Sequence, residues 1–179
     1  MTARNMTLIP AVLLAAGFSP GSIAQSAPQP TVQVAPQDCS GPEFRQFDFK
    51  LGLFDVTAEG GGAAGKSSVE SVLGGCLLVE HWHSVADRYG RANMYYDRSE
   101  ERWHLDFVTD EGETLYLTGR LEGDAMVLVG QNDFDPFTGL HRMTWSPLPG
   151  GAVRQFWELS NDGGATWKVV FAARYAPRR

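Results

Sequence analysis

Short runs typical of β-strands recur roughly every ten residues from Phe44 onward, and this rhythm leaves the chain few possible folds. Glycine-rich or acidic turns such as EGGGAAG, DEG, PLPGG and NDGG separate the runs. No stretch of helical length has helical periodicity. The pattern predicts an all-β protein of about ten strands. An antiparallel up-and-down β-barrel is the most economical arrangement, because closure removes unpaired edges, and a two-sheet sandwich is the alternative.

The N-terminus has the features of a secretory signal peptide. Arg4 precedes the short apolar run TLIPAVLLAAGF, and the letters SIA ending at Ala24 supply small residues at a cleavage site. The run is too short to span a bilayer, which requires about 20 apolar residues. We therefore expect residues 1–24 to be a signal peptide and the mature protein to be periplasmic or secreted, with no membrane span.

The rest of the chain is expected to form one domain. Residues 25–42 are rich in Pro, Gln and small residues and are typical of a flexible leader. Residues 43–179 are predicted to form the barrel. Removal of residues 1–24 takes away Arg4 and no acidic residue, so the formal net charge moves from −6 to −7. This acidity argues against nucleic acid or an anionic membrane as a partner, and leaves the oligomeric state open.

Cys39 and Cys76 are the only two cysteines. An even number of cysteines in an exported chain favours a disulfide, which would join the leader to the strand that starts near Cys76. The alternative is two unpaired thiols. A bond would stabilise the fold by about 3–4 kcal/mol in the chain-entropy description.

Turn chemistry assigns side chains to the two faces of the sheet. The loop DEG predicts that Thr109 pairs with Glu113, and the turn DRSEER predicts that Asp97 pairs with Arg102. Continued across the loop at 85–89, these registers place Glu80 opposite Met94 and Trp82 opposite Ala92. The predicted inner face comprises Leu78, Glu80, Trp82, Met94, Tyr96, Trp103, Leu105, Phe107, Leu115 and Leu117, and the outer face His81, His83, Arg91, Asn93, Tyr95, His104 and Asp106.

Turn registers also assign the faces of the C-terminal strands. Pairing of Glu158 with Lys168 and of Trp145 with Val153 turns a second apolar set inward. All five tryptophans then lie inside the barrel. The members of this set are His141, Met143, Trp145, Gln155, Trp157, Leu159, Trp167, Val169 and Phe171.

Four segments suggest a family. FRQFDFKLGLFDV, VLGGCLLVEHW, RMTWSPLPGGAVRQFWELSNDGGATW and FAARY resemble a group of exported bacterial proteins of unknown function. That group opens with a Phe-Asp-Phe-Trp-x-Gly-x-Trp-x-Val motif and is regarded as lipocalin-like, that is, as calycin-type β-barrels. The resemblance covers most of residues 43–175. It implies a lipocalin-like barrel and no particular reaction.

The chain departs from this motif at Lys50 and Phe54, where the family has Trp. Phe54 is similar in position to the Trp of the lipocalin Gly-x-Trp signature, with Arg174 or Arg154 as the arginine above it. Related haem-binding barrels carry a proximal histidine near the C-terminus. The segment VVFAARYAPRR contains none, so no haem is expected and no cofactor is required.

Glu80 is the acidic residue predicted on the apolar inner face. Burial of a carboxylate is costly unless the group is paired or hydrogen-bonded, so an interior side chain must answer it. His141 and Gln155 are the inward candidates, and Tyr96 or an indole N–H could also donate. Three interpretations stay open: a structural network, the polar part of a ligand cavity, and a Glu80–His141 pair that transfers protons.

His81 and His83 share one face of a strand and could bind one Zn²⁺, with His104 or Asp106 as a third ligand. Their predicted orientation toward solvent suits ordinary surface histidines, and no metal ligand is assigned. The segment NDFDPFTG (132–139) lacks the Gly and Glu of an EF-hand loop and is interpreted as a loop at the barrel mouth.

The function predicted from the sequence is binding of a small, largely apolar molecule inside the barrel. An enzyme that uses Glu80 and His141 on the same barrel is the first alternative. A solidly packed barrel that acts through its surface is the second. The predicted ligand-binding residues are Glu80, Trp82, Tyr96, Trp103, His141, Gln155 and Trp157.

Overall fold

Ten antiparallel strands make up most of the residues that the computed structural model describes, which are 38–133 and 136–178. The predicted signal peptide, residues 1–24, and residues 25–37 of the predicted leader lie outside these ranges. The strands are β1 (Gly52–Ala58), β2 (Ala63–Val72), β3 (Leu77–Ser84), β4 (Tyr89–Asp97), β5 (Arg102–Thr109), β6 (Thr114–Glu122), β7 (Ala125–Asn132), β8 (Gly139–Leu148), β9 (Ala152–Ser160) and β10 (Lys168–Pro177).

Each strand pairs with its neighbour in sequence, and β1 pairs with β10, so the sheet is a closed barrel. This confirms the predicted antiparallel up-and-down barrel over the sandwich. Short 3₁₀ helices precede β1 and connect β2 to β3 and β8 to β9. Their bounds are Pro42–Arg45, Asp48–Lys50, Leu73–Gly75 and Pro149–Gly151. Among the described residues, no helix is long and apolar enough to cross a membrane.

The segment before β1 fills one end of the barrel. The ring of Phe47 is fully buried there, with its centroid 5.6 Å from that of Trp103 and 5.3 Å from that of Trp145. Trp103 also donates a hydrogen bond from Nε1 to Oε1 of Gln46, at 3.0 Å. The predicted disulfide is present between Cys39 and Cys76, and it ties the chain before this segment to the start of β3. These contacts make this the closed end.

The central registers follow the prediction. Asp97 pairs with Arg102, and the backbone N–H of Thr109 donates to the carbonyl of Glu113 across a loop in which Gly112 has a φ of 82°. The inner and outer faces are also as predicted in this region. Glu80 is buried and His81 is exposed, as the alternation requires.

Two predicted registers were wrong by two residues. Glu80 lies opposite Ala92 rather than Met94, and Trp82 lies opposite Gly90 rather than Ala92, because the loop closes early. The backbone N–H of Ser84 donates to the carbonyl of Arg88, and Asp87 within the loop is left-handed (φ 59°). In the same way, Trp145 lies opposite Gln155 rather than Val153. A shift of two residues leaves each side chain on its predicted face.

One register was wrong by an odd number of residues. Lys168 pairs with Leu159 rather than with Glu158, and a bulge between Val169 and Phe171 restores the predicted inward direction of Phe171. Val169 is therefore exposed. Trp167, predicted inside, packs instead against the outer guanidinium of Arg142, 4.0 Å from the ring centroid. Four of the five tryptophans thus lie inside the barrel.

Candidate functional site

A cavity of about 360 Å³ occupies the barrel interior between the closed end and the opposite mouth. The loops after β3, β5 and β7 contribute Arg88, Glu113 and Phe137 to its rim. Arg88 is held across the rim by Asp110 and Glu111. The wall of the cavity is mainly apolar and is formed by Trp82, Ala92, Leu105, Phe107, Leu115, Met143, Trp145, Trp157, Val170 and Phe171.

Two glycines let aromatic rings of this wall approach the backbone closely. A Cβ atom on Gly90 would overlap the tip of the Phe107 ring, and a Cβ atom on Gly65 would overlap the ring of Trp82 and the backbone of His83. The close approach therefore requires glycine at both positions. Both rings line the cavity, so their position close to the backbone keeps its centre open.

Glu80 is the acidic group on the cavity wall, and two polar side chains bind it from behind. Nζ of Lys50 lies 2.7 Å from Oε1 of Glu80, and the hydroxyl of Ser67 donates to the same oxygen at 2.5 Å. Lys50 is fully buried in the short helix before β1. The predicted partners of Glu80, namely His141, Gln155, Tyr96 or an indole, were therefore wrong: Lys50 and Ser67 take that role.

Burial and charge act in opposite directions on Lys50. Removal of the ammonium from water lowers the pKa of Lys50, and the adjacent Glu80 carboxylate acts to raise it. The ammonium also lies 4.2 Å from the ring centroid of Tyr175. Burial, together with the charge of Glu80, raises the pKa of Tyr175 well above its usual value, so this hydroxyl stays protonated and donates.

Gln155 presents an amide to the cavity. Its Oε1 accepts a hydrogen bond from the Tyr175 hydroxyl, and its Nε2 is 3.9 Å from the sulfur of Met143. Sulfur is a weak acceptor, so the amide N–H groups retain most of their capacity to donate. Glu80, Gln155 and Tyr175 all line the cavity. They form a polar patch on an otherwise apolar wall.

His141 supports the wall from behind. Nδ1 accepts from the indole N–H of Trp157 at 2.8 Å, so Nε2 carries the ring proton and donates to the carbonyl of Phe137 at 2.6 Å. The side chain is fully buried, and desolvation lowers the pKa of His141, which favours the neutral ring. Both nitrogens are thus engaged in orienting Trp157 and the rim.

The structure brings four of the seven predicted ligand-binding residues to the cavity wall, namely Glu80, Trp82, Gln155 and Trp157. The other three lie behind that wall or at the closed end. Tyr96 packs against Phe44 and Trp103, with ring centroids 5.4 and 6.2 Å away. Trp103 contacts Phe47, and His141 holds Trp157. A direct contact of these residues with a ligand stays a prediction.

The histidine pair of β3 points outward as predicted, and each ring has its own acidic neighbour. Nε2 of His83 lies 2.9 Å from Oδ1 of Asp87, and Nε2 of His81 lies 3.9 Å from Oε1 of Glu70. His104, one of the proposed third ligands, bonds instead to Tyr116 on β6. In the structure each of these three rings therefore has a different partner.

Three residues in or directly bonded to the polar patch were missed from the sequence, namely Lys50, Ser67 and Tyr175. Lys50 carried a signal, because a lysine stands within the aromatic segment FRQFDFKLGLF. Tyr175 also carried one, because it follows the predicted inward Phe171 at an even spacing on the same strand. Ser67 carried none, since a small polar residue suits either face.

Comparison of the chain with protein-family models finds no match, and neither does comparison with curated proteins. The site is therefore interpreted from its own geometry.

Proposed function

We propose that the protein is an exported, lipocalin-like binding protein that holds one small, largely apolar molecule in the barrel. The observation that carries this proposal is the aromatic cavity of about 360 Å³ with a compact polar patch at Glu80, Gln155 and Tyr175. Ligand sites in proteins generally have volumes of about 300–1,000 Å³, apolar walls and few polar groups. A solidly packed interior would have left no such space.

The polar patch defines the polar part of the ligand. Glu80 is already paired with Lys50, so their charges cancel and the polar patch itself offers no uncompensated charge to a charged molecule. The amide of Gln155 can donate, and the carboxylate of Glu80 can accept. The fitting ligand is a neutral molecule with an apolar body and one carbonyl or hydroxyl group.

Export is part of the same proposal. The predicted signal peptide at residues 1–24 supports it, and so does the disulfide between Cys39 and Cys76, since such bonds persist in oxidising compartments. Periplasm and extracellular medium both provide that environment.

Binding of the neutral fluorescent probe N-phenyl-1-naphthylamine to the purified protein tests the proposal. Gly90→Ala is the informative variant, because the added methyl group would overlap the Phe107 ring, which lines the cavity and would have to move. We expect this variant to bind the probe at least about tenfold more weakly, the effect of losing about 1.4 kcal/mol of binding free energy.

Gly60→Ala is the matched control, since a Cβ atom on Gly60 meets no neighbouring atom within 4 Å. Its affinity for the probe should equal that of the wild type. Equal affinity of all three proteins, or no uptake of the probe by the wild type, would contradict the proposal. Native mass spectrometry of protein purified from its own host should then identify the natural occupant by its mass.

A further inference from the structure

A second cluster of ligating side chains lies on the outer surface, at the hairpin between β4 and β5. Asp97 ends β4, Glu100 lies in the turn, and His104 follows on β5. One ligand atom from each of the three lies within 4.8 Å of the other two. The turn of this hairpin lies at the closed end of the barrel, so the cluster is separate from the cavity mouth.

The imidazole of His104 is held in place while one of its nitrogens has no hydrogen bond. The ring is only 3% exposed and stacks on Tyr95 at a centroid distance of 5.1 Å. Nδ1 lies 2.6 Å from the hydroxyl of Tyr116. Nε2 is buried without a hydrogen-bond partner and is directed at Glu100, whose Oε2 is 3.4 Å away but not aligned for a hydrogen bond.

Asp97 is held by several hydrogen bonds. Its Oδ1 accepts hydrogen bonds from the backbone N–H of Ser99 at 2.7 Å, from the Ser99 hydroxyl at 2.6 Å and from the backbone N–H of Glu100 at 3.1 Å. These bonds hold the carboxylate in one orientation. Because they use one oxygen, Oδ2 remains as the ligand atom for a cation.

We propose that Asp97, Glu100 and His104 form a binding site for a divalent transition-metal ion, of which Zn²⁺ is the best fit. When the N–H group at Nδ1 donates a hydrogen bond to Tyr116, the lone pair of Nε2 faces the carboxylates of Asp97 and Glu100. The lone pair and the carboxylates repel one another, and a cation between them removes this repulsion. Bond lengths of about 2.0–2.2 Å separate two ligands on tetrahedral zinc by about 3.3–3.6 Å, which is the spacing found here between Glu100 and His104.

The surroundings also match a zinc site. The Tyr116 hydroxyl corresponds to the outer partner that typically orients a ligating histidine. Three protein ligands leave the fourth position for water or for an added ligand. Arg102 competes with a cation for Glu100, because its Nε lies 3.4 Å from Oε2 of that residue. A zinc ion would have to displace the guanidinium in order to bind this oxygen.

Titration of the purified, chelator-treated protein with Zn²⁺ tests the site by calorimetry. We expect one ion to bind with high affinity, and Glu100→Gln to weaken this binding at least about tenfold. Glu101→Gln is the matched control, because it removes the same charge from the next residue of the turn, outside the cluster. Tyr116→Phe, at a half-exposed position, should weaken binding by about 10–100-fold through loss of the outer partner.

Nitrogen NMR of the histidine rings distinguishes the outcomes. Zinc should shift the Nε2 resonance of His104 and leave that of His141 unchanged. Three results would overturn the proposal: unchanged zinc affinity in Glu100→Gln, loss of zinc binding only in a His81→Gln/His83→Gln variant, or a proton on both nitrogens of His104 that added zinc does not displace. The last result would identify an imidazolium–carboxylate ion pair in place of a metal site.

Discussion

Among the individual side chains, Lys50 and Glu80 have the largest consequences for the interior. Both side chains are buried. Among the described residues, Glu80 is the only acidic partner of Lys50, and Lys50 is the only basic partner of Glu80. Loss of one partner from a buried ion pair leaves the other charge without compensation, whereas replacement of both by neutral side chains is often close to neutral for stability. The pair therefore defines a testable dependence.

Lys50→Met should lower the free energy of unfolding by about 3–5 kcal/mol, because Glu80 is then buried with only Ser67 as a partner. The double variant Lys50→Met/Glu80→Gln should recover most of that loss. Urea unfolding followed by tryptophan fluorescence measures both. Lys66→Met, at an exposed position on β2, is the control and should change stability by less than about 0.5 kcal/mol. A fully stable Lys50→Met protein would show that the pair is not the main support of Glu80.

His141 gives the folded protein a specific pH dependence. Burial lowers the pKa of His141 below its ordinary value of 6.5, so the unfolded chain takes up a proton at a higher pH than the folded protein does. Stability should therefore decrease as the pH falls below about 6.5. His141→Gln should remove this slope between about pH 7.5 and 5.5, where carboxylates contribute little. Thermal unfolding across that range measures it, and the surface variant His81→Gln should keep the wild-type slope.

Among the strands and turns, loop lengths decided details that alternation alone did not. The loop between β3 and β4 moved its register by two residues, and the turn between β9 and β10 moved the register by one at Lys168 and Val169. Only the odd shift moved side chains to the other face, so Trp167 and Val169 lie outside, and the bulge before Phe171 restores the predicted face from there on. Period-two alternation is insensitive to an even shift and reverses with an odd one.

The turn between β9 and β10 depends on Asp162. Its carboxylate accepts from the backbone N–H and hydroxyl of Thr166 at 2.9 and 2.6 Å and from the hydroxyl of Ser160 at 2.7 Å, which lowers its pKa to about 2. A lowered folded-state pKa stabilises the protein above the ordinary value of 3.8, and this contribution disappears as the pH falls toward about 2.

Asp162→Asn should therefore unfold at a lower urea concentration than the wild type at pH 7. The difference between the two proteins should shrink as the pH decreases from 3.8 to about 2, because the wild-type carboxyl group becomes protonated in that interval. Asp124→Asn makes the same charge change in the turn between β6 and β7 and serves as the control. A difference that does not vary with pH would show that the carboxylate charge is not what stabilises the turn.

For the barrel as a whole, the two ends have different roles. The closed end contains Phe47, the 3₁₀ segments and the disulfide, while the cavity reaches the rim at the other end. Stability and binding should therefore separate: a change near the disulfide affects unfolding, and a change near the rim affects the ligand.

Cys39→Ser/Cys76→Ser should lower the free energy of unfolding by about 3–4 kcal/mol, because the bond closes a loop with a sequence separation of 37 residues. Affinity for N-phenyl-1-naphthylamine should stay within about twofold of the wild type, a difference of about 0.4 kcal/mol. Dithiothreitol should destabilise the wild type to a similar extent and leave the variant unchanged. A large loss of probe binding in the variant would show that the closed end and the cavity are coupled.

The sequence was enough to predict the strand number, the barrel closure and the disulfide. It also predicted the inward direction of four residues that line the cavity, namely Glu80, Trp82, Gln155 and Trp157. These features depend on local rules: turn residues set hairpin lengths, alternation sets faces, and an even number of cysteines indicates a bond. Lys50 is different. It precedes the first strand, and although a lysine is unusual in that aromatic segment, no local rule indicates that it meets a carboxylate 30 residues away at the barrel end.

Tertiary structure alone decided which inward groups share the cavity wall and which lie behind it. It placed His141 behind Trp157, Tyr96 at the closed end, and Asp97, Glu100 and His104 together on the outside. The physical reason is that alternation specifies a face but no height in the barrel. Height depends on the exact length of every preceding loop and on the segment that enters the barrel end, so it is set only when all strands have paired.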